Sequence, residues 1–241
     1  MKSNTITILQ LYPHAMNIYG DWGNTLTLKR RLEWYGYSVR LVEYNPGDTF
    51  PADIDIIVGG GGQDSGQATI QDDLLAIGPT LQRLADDGVP MLVVCGLYQL
   101  FGRFFKTTQG AIIRGIGLFD IETIAGEQRL IGNIVTASSD FGEIIGYENH
   151  SGLTTLGHSV PPLGIVSRGA GNNGTDQTEG ARYRNVIGTY LHGSILPKNP
   201  RIADFLVEQA VARRYGEFAP SVLIDDTFAT KARTVASKRP R

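Results

Sequence analysis

Apolar residues change their spacing several times between Thr5 and Val94, and glycines mark the changes. Ile6, Ile8 and Leu11 predict a first strand, followed by a loop through Tyr19, Gly20, Asp21 and Gly23. Leu26, Leu28, Leu32 and Tyr35 then fall near helical spacing with Lys29, Arg30, Arg31 and Glu33 between them, and Gly36 stands where a helix-ending glycine belongs. Val39 and Leu41 alternate as a second strand. Ile54 to Val58 is a third, running into Gly59-Gly60-Gly61-Gly62; a helix is expected over Leu74 to Leu84 and a fourth strand over Met91 to Val94. Strands alternating with helices across short connections predict βαβ units, hence a doubly wound, mostly parallel α/β sheet with helices on both faces.

The second half has a different rhythm. Leu130 to Ala137, Glu143 to Glu148 and Val186 to Leu191 read as added strands separated by glycine turns, and Ile202 to Val211 as an amphipathic helix. Beyond Pro220 the pattern fades. One domain over residues 1–222 is expected, followed by a basic tail over 223–241.

Composition narrows the chemistry. The 241 residues carry 22 basic and 24 acidic side chains, but Lys231, Arg233, Lys238, Arg239 and Arg241 crowd the last eleven positions. Without those five the remainder has 17 basic against 24 acidic residues, about −7, which disfavours a surface that tracks nucleic-acid phosphates. The tail reads as a frayed, solvated end or as a contact for a partner or an anionic membrane surface. One cysteine forms no internal disulfide and no secretory leader is recognisable, so a reducing, cytoplasmic setting is expected. No apolar run approaches the roughly 18 residues that span a bilayer. Four scattered histidines and one thiol contain no metal-binding spacing, so no metal is expected.

The remaining candidate chemistry gathers around Cys95, which ends the fourth strand just before an expected helix at Leu97. A tight strand-to-helix turn lifts a nucleophile out of a sheet and aims it at a helix N-terminus, and a free thiol with pKa of about 8.5 needs such help to ionise. The alternative is a small buried hydrophobe. The glycine run 59–62 leaves the neighbouring strand and lacks the Gly-Lys-Ser/Thr ending of a phosphate loop, so its N–H groups are free to face an oxyanion, or the run is a flexible turn. His192 follows the Val186 to Leu191 strand and brings an imidazole to another strand end.

Three runs, Cys95-Gly96-Leu97-Tyr98-Gln99-Leu100-Phe101-Gly102, Gly146-Tyr147-Glu148-Asn149-His150-Ser151-Gly152 and Thr189-Tyr190-Leu191-His192-Gly193, resemble in order the motifs of class I glutamine amidotransferases of the CobB/CobQ-like, cobyric-acid-synthase-like branch. Within that branch, Asn17 to Asn24, Gly60 to Asp64, Tyr183 to Asn185 and His192 to Asn199 look most like the amidotransferase subunits of lipid II isoglutaminyl synthases. The resemblance covers about Leu11 to Pro220. Two departures stand out: Val93 and Leu97 flank the cysteine where the class usually has glycine, and Ser194 replaces the glutamate that usually orients the histidine.

The resemblance implies a flavodoxin-like fold and hydrolysis of L-glutamine through a Cys95 thioester, with His192 moving the proton. It assigns the missing acid to Asp21, with Asp64 as the weaker choice and a helix cap as the other reading of Asp21. Gly61, Gly62 and Gly96 become the oxyanion donors. Arg129 matches the family's substrate arginine, a surface arginine being the alternative, and Gln63, Asn149 and His150 are further pocket candidates or ordinary loop polar groups. No cofactor is expected in this chain. The ammonia implies a Mur-ligase-like synthetase partner, MurT, carrying ATP and Mg and amidating the D-glutamate of lipid II at the inner face of the membrane. Competing readings are a cobyric-acid-type amidotransferase, whose usual synthetase domain does not precede residue 1, a stand-alone cysteine hydrolase, and a non-catalytic regulatory subunit.

Overall fold

The computed structural model describes residues 4–192, 194–220 and 222–240; the motif residue Gly193 and the tail residue Arg241 lie outside the described residues. In chain order the elements are β1 (Thr5–Leu11), α1 (Trp22–Trp34), β2 (Ser38–Tyr44), β3 (Ile56–Gly59), α2 (Asp64–Asp86), β4 (Met91–Val94), α3 (Gly96–Leu100), β5 (Phe104–Lys106) and β6 (Ile112–Arg114). They continue with β7 (Ile121–Ser138), β8 (Gly142–Leu156), β9 (Gly164–Arg168), β10 (Thr178–Glu179), β11 (Ala181–Tyr183), β12 (Val186–Thr189), α4 (Ile195–Lys198), α5 (Pro200–Tyr215) and α6 (Thr227–Ser237).

The first sheet has the order β11-β12-β4-β3-β1-β2, parallel throughout except for the edge strand β11. Strands covered on both faces read as continuous apolar runs, and β3, β4 and β12 are buried at every position whereas edge strand β2 is not. In such a sheet ligands collect beyond the carboxyl ends of the strands, where the strand order reverses. Here that place lies between β1 and β3, and the loops after them carry Asp21 and the polyglycine run.

The second sheet is built on a long antiparallel hairpin of β7 and β8, extended by β9, β10, β5 and β6. Its register shifts between Ala125 and Leu130, so that Gly126 to Arg129 face a shorter stretch of β8. A bulge of this kind unpairs residues and re-aims side chains. It turns Arg129 out of the ladder.

Helix α2 begins at Asp64, ten residues before the apolar repeat that predicted a helix from Leu74. Its first turns bury only Gln67 and Ile70, too little to register as a stripe. The tail also differs from a frayed end. Arg31, nearly buried on α1, donates to Asp204 of α5 and to Asp226, the residue that precedes α6, at 2.7 Å each. Arg233 donates to the Lys198 carbonyl and to Asn199 Oδ1, and Asn133 to the Pro240 carbonyl. These polar anchors hold the tail, although no residue of α6 is buried. Among the described residues no helix is long and apolar enough to cross a membrane.

Candidate active site

Cys95 adopts φ 51°, ψ −106° between β4 and α3, a conformation that costs a non-glycine residue about 1–3 kcal/mol. The surroundings hold it there: its N–H donates to the Thr189 carbonyl at 2.8 Å, and its carbonyl accepts from Gln99 N–H at 2.9 Å. The side chain is thereby lifted to the floor of a cleft of about 350 Å³. The flanking Val93 and Leu97 are fully buried, so the turn accommodates side chains in place of the usual glycines.

His192 reaches this place from the end of β12, its N–H donating to the Tyr147 carbonyl of β8 at 2.7 Å. Asp21 stands at the N-cap position of α1 but makes no side-chain cap bond. Its Oδ2 instead accepts from Gly61 N–H at 2.8 Å and lies 3.8 Å from His192 Nδ1, an ion-pair distance rather than a hydrogen bond. Ser194, where a glutamate was missing, donates to the Gly20 carbonyl at 3.0 Å and so ties the histidine turn to the aspartate loop. Asp64 is exposed at the start of α2, on the cleft wall, and the His192 ion pair is with Asp21.

Gly61 is where the three groups meet. A Cβ there would lie 3.0 Å from His192 Cε1, 3.1 Å from Cys95 Cβ and 3.6 Å from Asp21 Oδ2. This corrects one expectation: with its N–H committed to Asp21, Gly61 is not an oxyanion donor, and it serves by having no side chain. Among the described residues no hydrogen bond occupies the N–H of Gly62 or Gly96, and a Cβ on Gly96 would sit 3.0 Å from Gly62 N, so these two donors adjoin.

Arg129 closes one end of the cleft. Its Nε and Nη2 donate to Asn149 Oδ1 at 3.1 and 2.9 Å, and Nη2 also reaches the Asn149 carbonyl and Tyr19 Oη. Gln63 lines the same cleft. His150 does too, but it is locked: burial pushes its imidazole down to about 3, Nδ1–H donates to the Gly152 carbonyl at 2.7 Å, and the ring stacks on Tyr190 at 3.6 Å.

Sequence reasoning passed over Gln67 and Glu179. Gln67 Nε2 donates to Gln99 Oε1 at 2.7 Å, and Gln99 Nε2 to Tyr190 Oη at 3.1 Å, so a buried amide relay backs the cleft. Glu179 is pushed up to about 8 by burial, and its Oε1 accepts from Thr189 Oγ1 at 3.0 Å and Tyr190 N–H at 2.8 Å, fixing the chain just ahead of His192. The position of Gln67 four residues after Gln63, one helical turn beyond the glycine run, was the available signal for it.

The sequence profile of the CobB/CobQ-like glutamine amidotransferase domain matches residues 7–200, the stretch that carries all of these groups. The chain belongs to this family. It is 40% identical over 97% of its length, and 96% of the relative's, to the lipid II isoglutaminyl synthase (glutamine-hydrolyzing) subunit GatD of Staphylococcus aureus. It is 39% identical to the Streptococcus pneumoniae GatD subunit over 88% of this chain and 83% of that one. A crystal structure of a glutamine amidotransferase superposes with a TM-score of 0.58 at 15% identity, covering 84% of this chain and 98% of the other, which shows the shared fold. The chain is thus a glutamine-hydrolysing amidotransferase with the class I fold.

The amidotransferase site is strongly polarised. Burial opposes charge on the His192 ring, but the Cys95 sulfur and the Asp21 carboxylate outweigh it and push the imidazole up from 6.5 to about 10. At neutral pH the ring therefore holds its proton between sulfur and carboxylate. Geometry this tight has a direct consequence: Gly61→Ala will lower kcat for glutamine hydrolysis about 10- to 100-fold, because His192 and Cys95 must shift by a few tenths of an ångström to clear the new methyl. Steady-state kinetics with circular dichroism checks it; a wild-type kcat would show that the site has slack at Gly61.

Proposed function

We propose that Cys95 is the nucleophile, His192 the proton carrier and Asp21 its orienting acid, the observation that carries this being their convergence on Gly61. His192 takes the proton of the Cys95 thiol, the sulfur attacks the side-chain carbonyl carbon of L-glutamine, and the resulting oxyanion is held by the N–H groups of Gly62 and Gly96. His192 gives its proton to the departing nitrogen as the C–N bond breaks, leaving a glutamyl thioester and ammonia. Water, deprotonated by His192, then hydrolyses the thioester, and the proton returns to the ring. Arg129 takes the substrate α-carboxylate, with Gln63 and Asn149 beside it, while His150, locked and neutral, shapes the wall.

The ammonia is consumed by a Mur-ligase-like synthetase subunit of the MurT type, which brings ATP and Mg and amidates the α-carboxyl of D-glutamate in lipid II to D-isoglutamine. The GatD likeness across nearly the whole chain supports this acceptor, and the complex works at the inner membrane face through that subunit and its substrate. The test is reconstitution: this chain, the synthetase, ATP, Mg, lipid II and glutamine are expected to yield the amidated stem peptide by mass spectrometry. Omission of this chain should restrict the reaction to added ammonium. Glutamine-dependent amidation without this chain, or none with it, would overturn the assignment.

A further inference from the structure

Tyr19 projects from the loop between β1 and α1, where the adjacent Ile18 N–H donates to the Gly61 carbonyl at 3.1 Å. Its ring packs edge-on against His192, with centroids 4.5 Å apart, and its hydroxyl accepts from Arg129 Nη2 at 3.2 Å. Tyr19, Arg129 and Cys95 line the same cleft. The contact thus links the first sheet, which carries Cys95, to the bulge of the second, which carries Arg129.

Arg129 uses Nε and Nη2 on Asn149 and Tyr19, while Nη1 makes no hydrogen bond among the described residues. A phenol oxygen that accepts from a guanidinium still has its own proton to donate. Arg129 Nη1 and the Tyr19 hydroxyl are therefore two donors on one side of the cleft, suited to the two oxygens of a carboxylate. We propose that Tyr19 is a specificity-determining residue that selects the α-carboxylate of the amino-acid substrate by fixing the Arg129 fork and donating beside it. The inference rests on the reading of Arg129 as the α-carboxylate partner. The second sheet thereby takes part in recognition. Half of the carboxylate site arrives with its bulge, so an amide lacking the α-carboxylate is poorly held.

The experiment alkylates the full chain with diazo-oxo-norleucine, a glutamine analogue that keeps the α-carboxylate, and with iodoacetamide, which lacks it, and follows the Cys95 adduct by mass spectrometry. Tyr19→Phe should raise KI for the glutamine analogue about five- to tenfold, the loss of one charge-assisted hydrogen bond, without a matching change in the maximal alkylation rate or in the iodoacetamide rate. Arg129→Ala should raise KI further, and the double variant should raise it again, by less than the product of the two single effects because part of the Tyr19 effect acts through Arg129. A wild-type KI in Tyr19→Phe alongside a raised KI in Arg129→Ala overturns the role of Tyr19 alone. A wild-type KI in Arg129→Ala overturns the Arg129 reading and this inference with it. Equal slowing of both reagents in Tyr19→Phe would make the residue a structural prop and also overturns the proposal.

Discussion

Replacing Cys95 by alanine will abolish ammonia release from glutamine, with a fall in kcat of at least about 10³-fold, since no other thiol exists in the chain to form the thioester. The fold should survive. Cys95 is 7% exposed at the cleft floor and its backbone is held by hydrogen bonds to Thr189 and Gln99 that do not involve sulfur. A second substitution separates strain from chemistry. At φ 51° alanine keeps the backbone penalty, while Cys95→Gly removes about 1–3 kcal/mol of it against roughly 1 kcal/mol of added unfolded-state entropy. The glycine variant should therefore be equally inactive and at least as stable as the alanine variant by thermal melting. Residual glutaminase activity in either would remove Cys95 as nucleophile, and a glycine variant clearly less stable than alanine would refute stored strain at the turn.

The second large effect is expected from Asp21→Asn. The amide oxygen can still accept from Gly61 N–H, so the loop is preserved while the charge 3.8 Å from His192 is lost. Loss of an orienting carboxylate behind a catalytic histidine costs up to about 10⁴-fold in kcat, and a fall of about 10²- to 10⁴-fold is expected here. The pH profile carries the sign. His192 is raised from 6.5 to about 10, with Cys95 and Asp21 both contributing, so without Asp21 the ring should lose its proton at lower pH. The basic limb of kcat/KM, which reports the free enzyme, should move to lower pH accordingly. Stability follows the same direction: a group whose folded pKa is raised contributes fully below its unfolded value of about 6.5, and that contribution disappears as pH rises through about 10. The melting difference between wild type and Asp21→Asn should thus be larger at about pH 6 than above about pH 10. An unchanged kcat and basic limb would move the orienting role elsewhere.

The missing glutamate after His192 shows how far a linear reading reaches. Ser194 made the absence visible, and the resemblance pointed to Asp21, but Asp21 precedes α1 where a helix cap reads equally well. In the structure the carboxylate makes no cap bond and turns toward Gly61 and His192, a contact between segments far apart in the chain. Gly61 teaches the converse. Its place in a glycine run suggested a donor to the oxyanion, and only the bond to Asp21 showed that its N–H is spent and that its missing side chain is what the site needs.

The strands β3 and β4 were legible because burial on both faces leaves unbroken apolar runs, and Cys95 because it sits where such a run stops; β1 and β12 carry polar residues among their apolar ones. By itself, then, the sequence determined the parallel sheet and the glycine-marked ends of its strands, which depend on local spacing, and the resemblance of its motifs pointed to an amidotransferase. The tertiary structure alone decided the β7 bulge that turns out Arg129, the Tyr19 contact across two sheets, the relay behind Gln67 and the anchoring of α6 by Arg31 and Arg233. Those features are polar contacts between distant segments. They leave no periodic trace in the chain, because one hydrogen bond constrains two residues and neither constrains its neighbours.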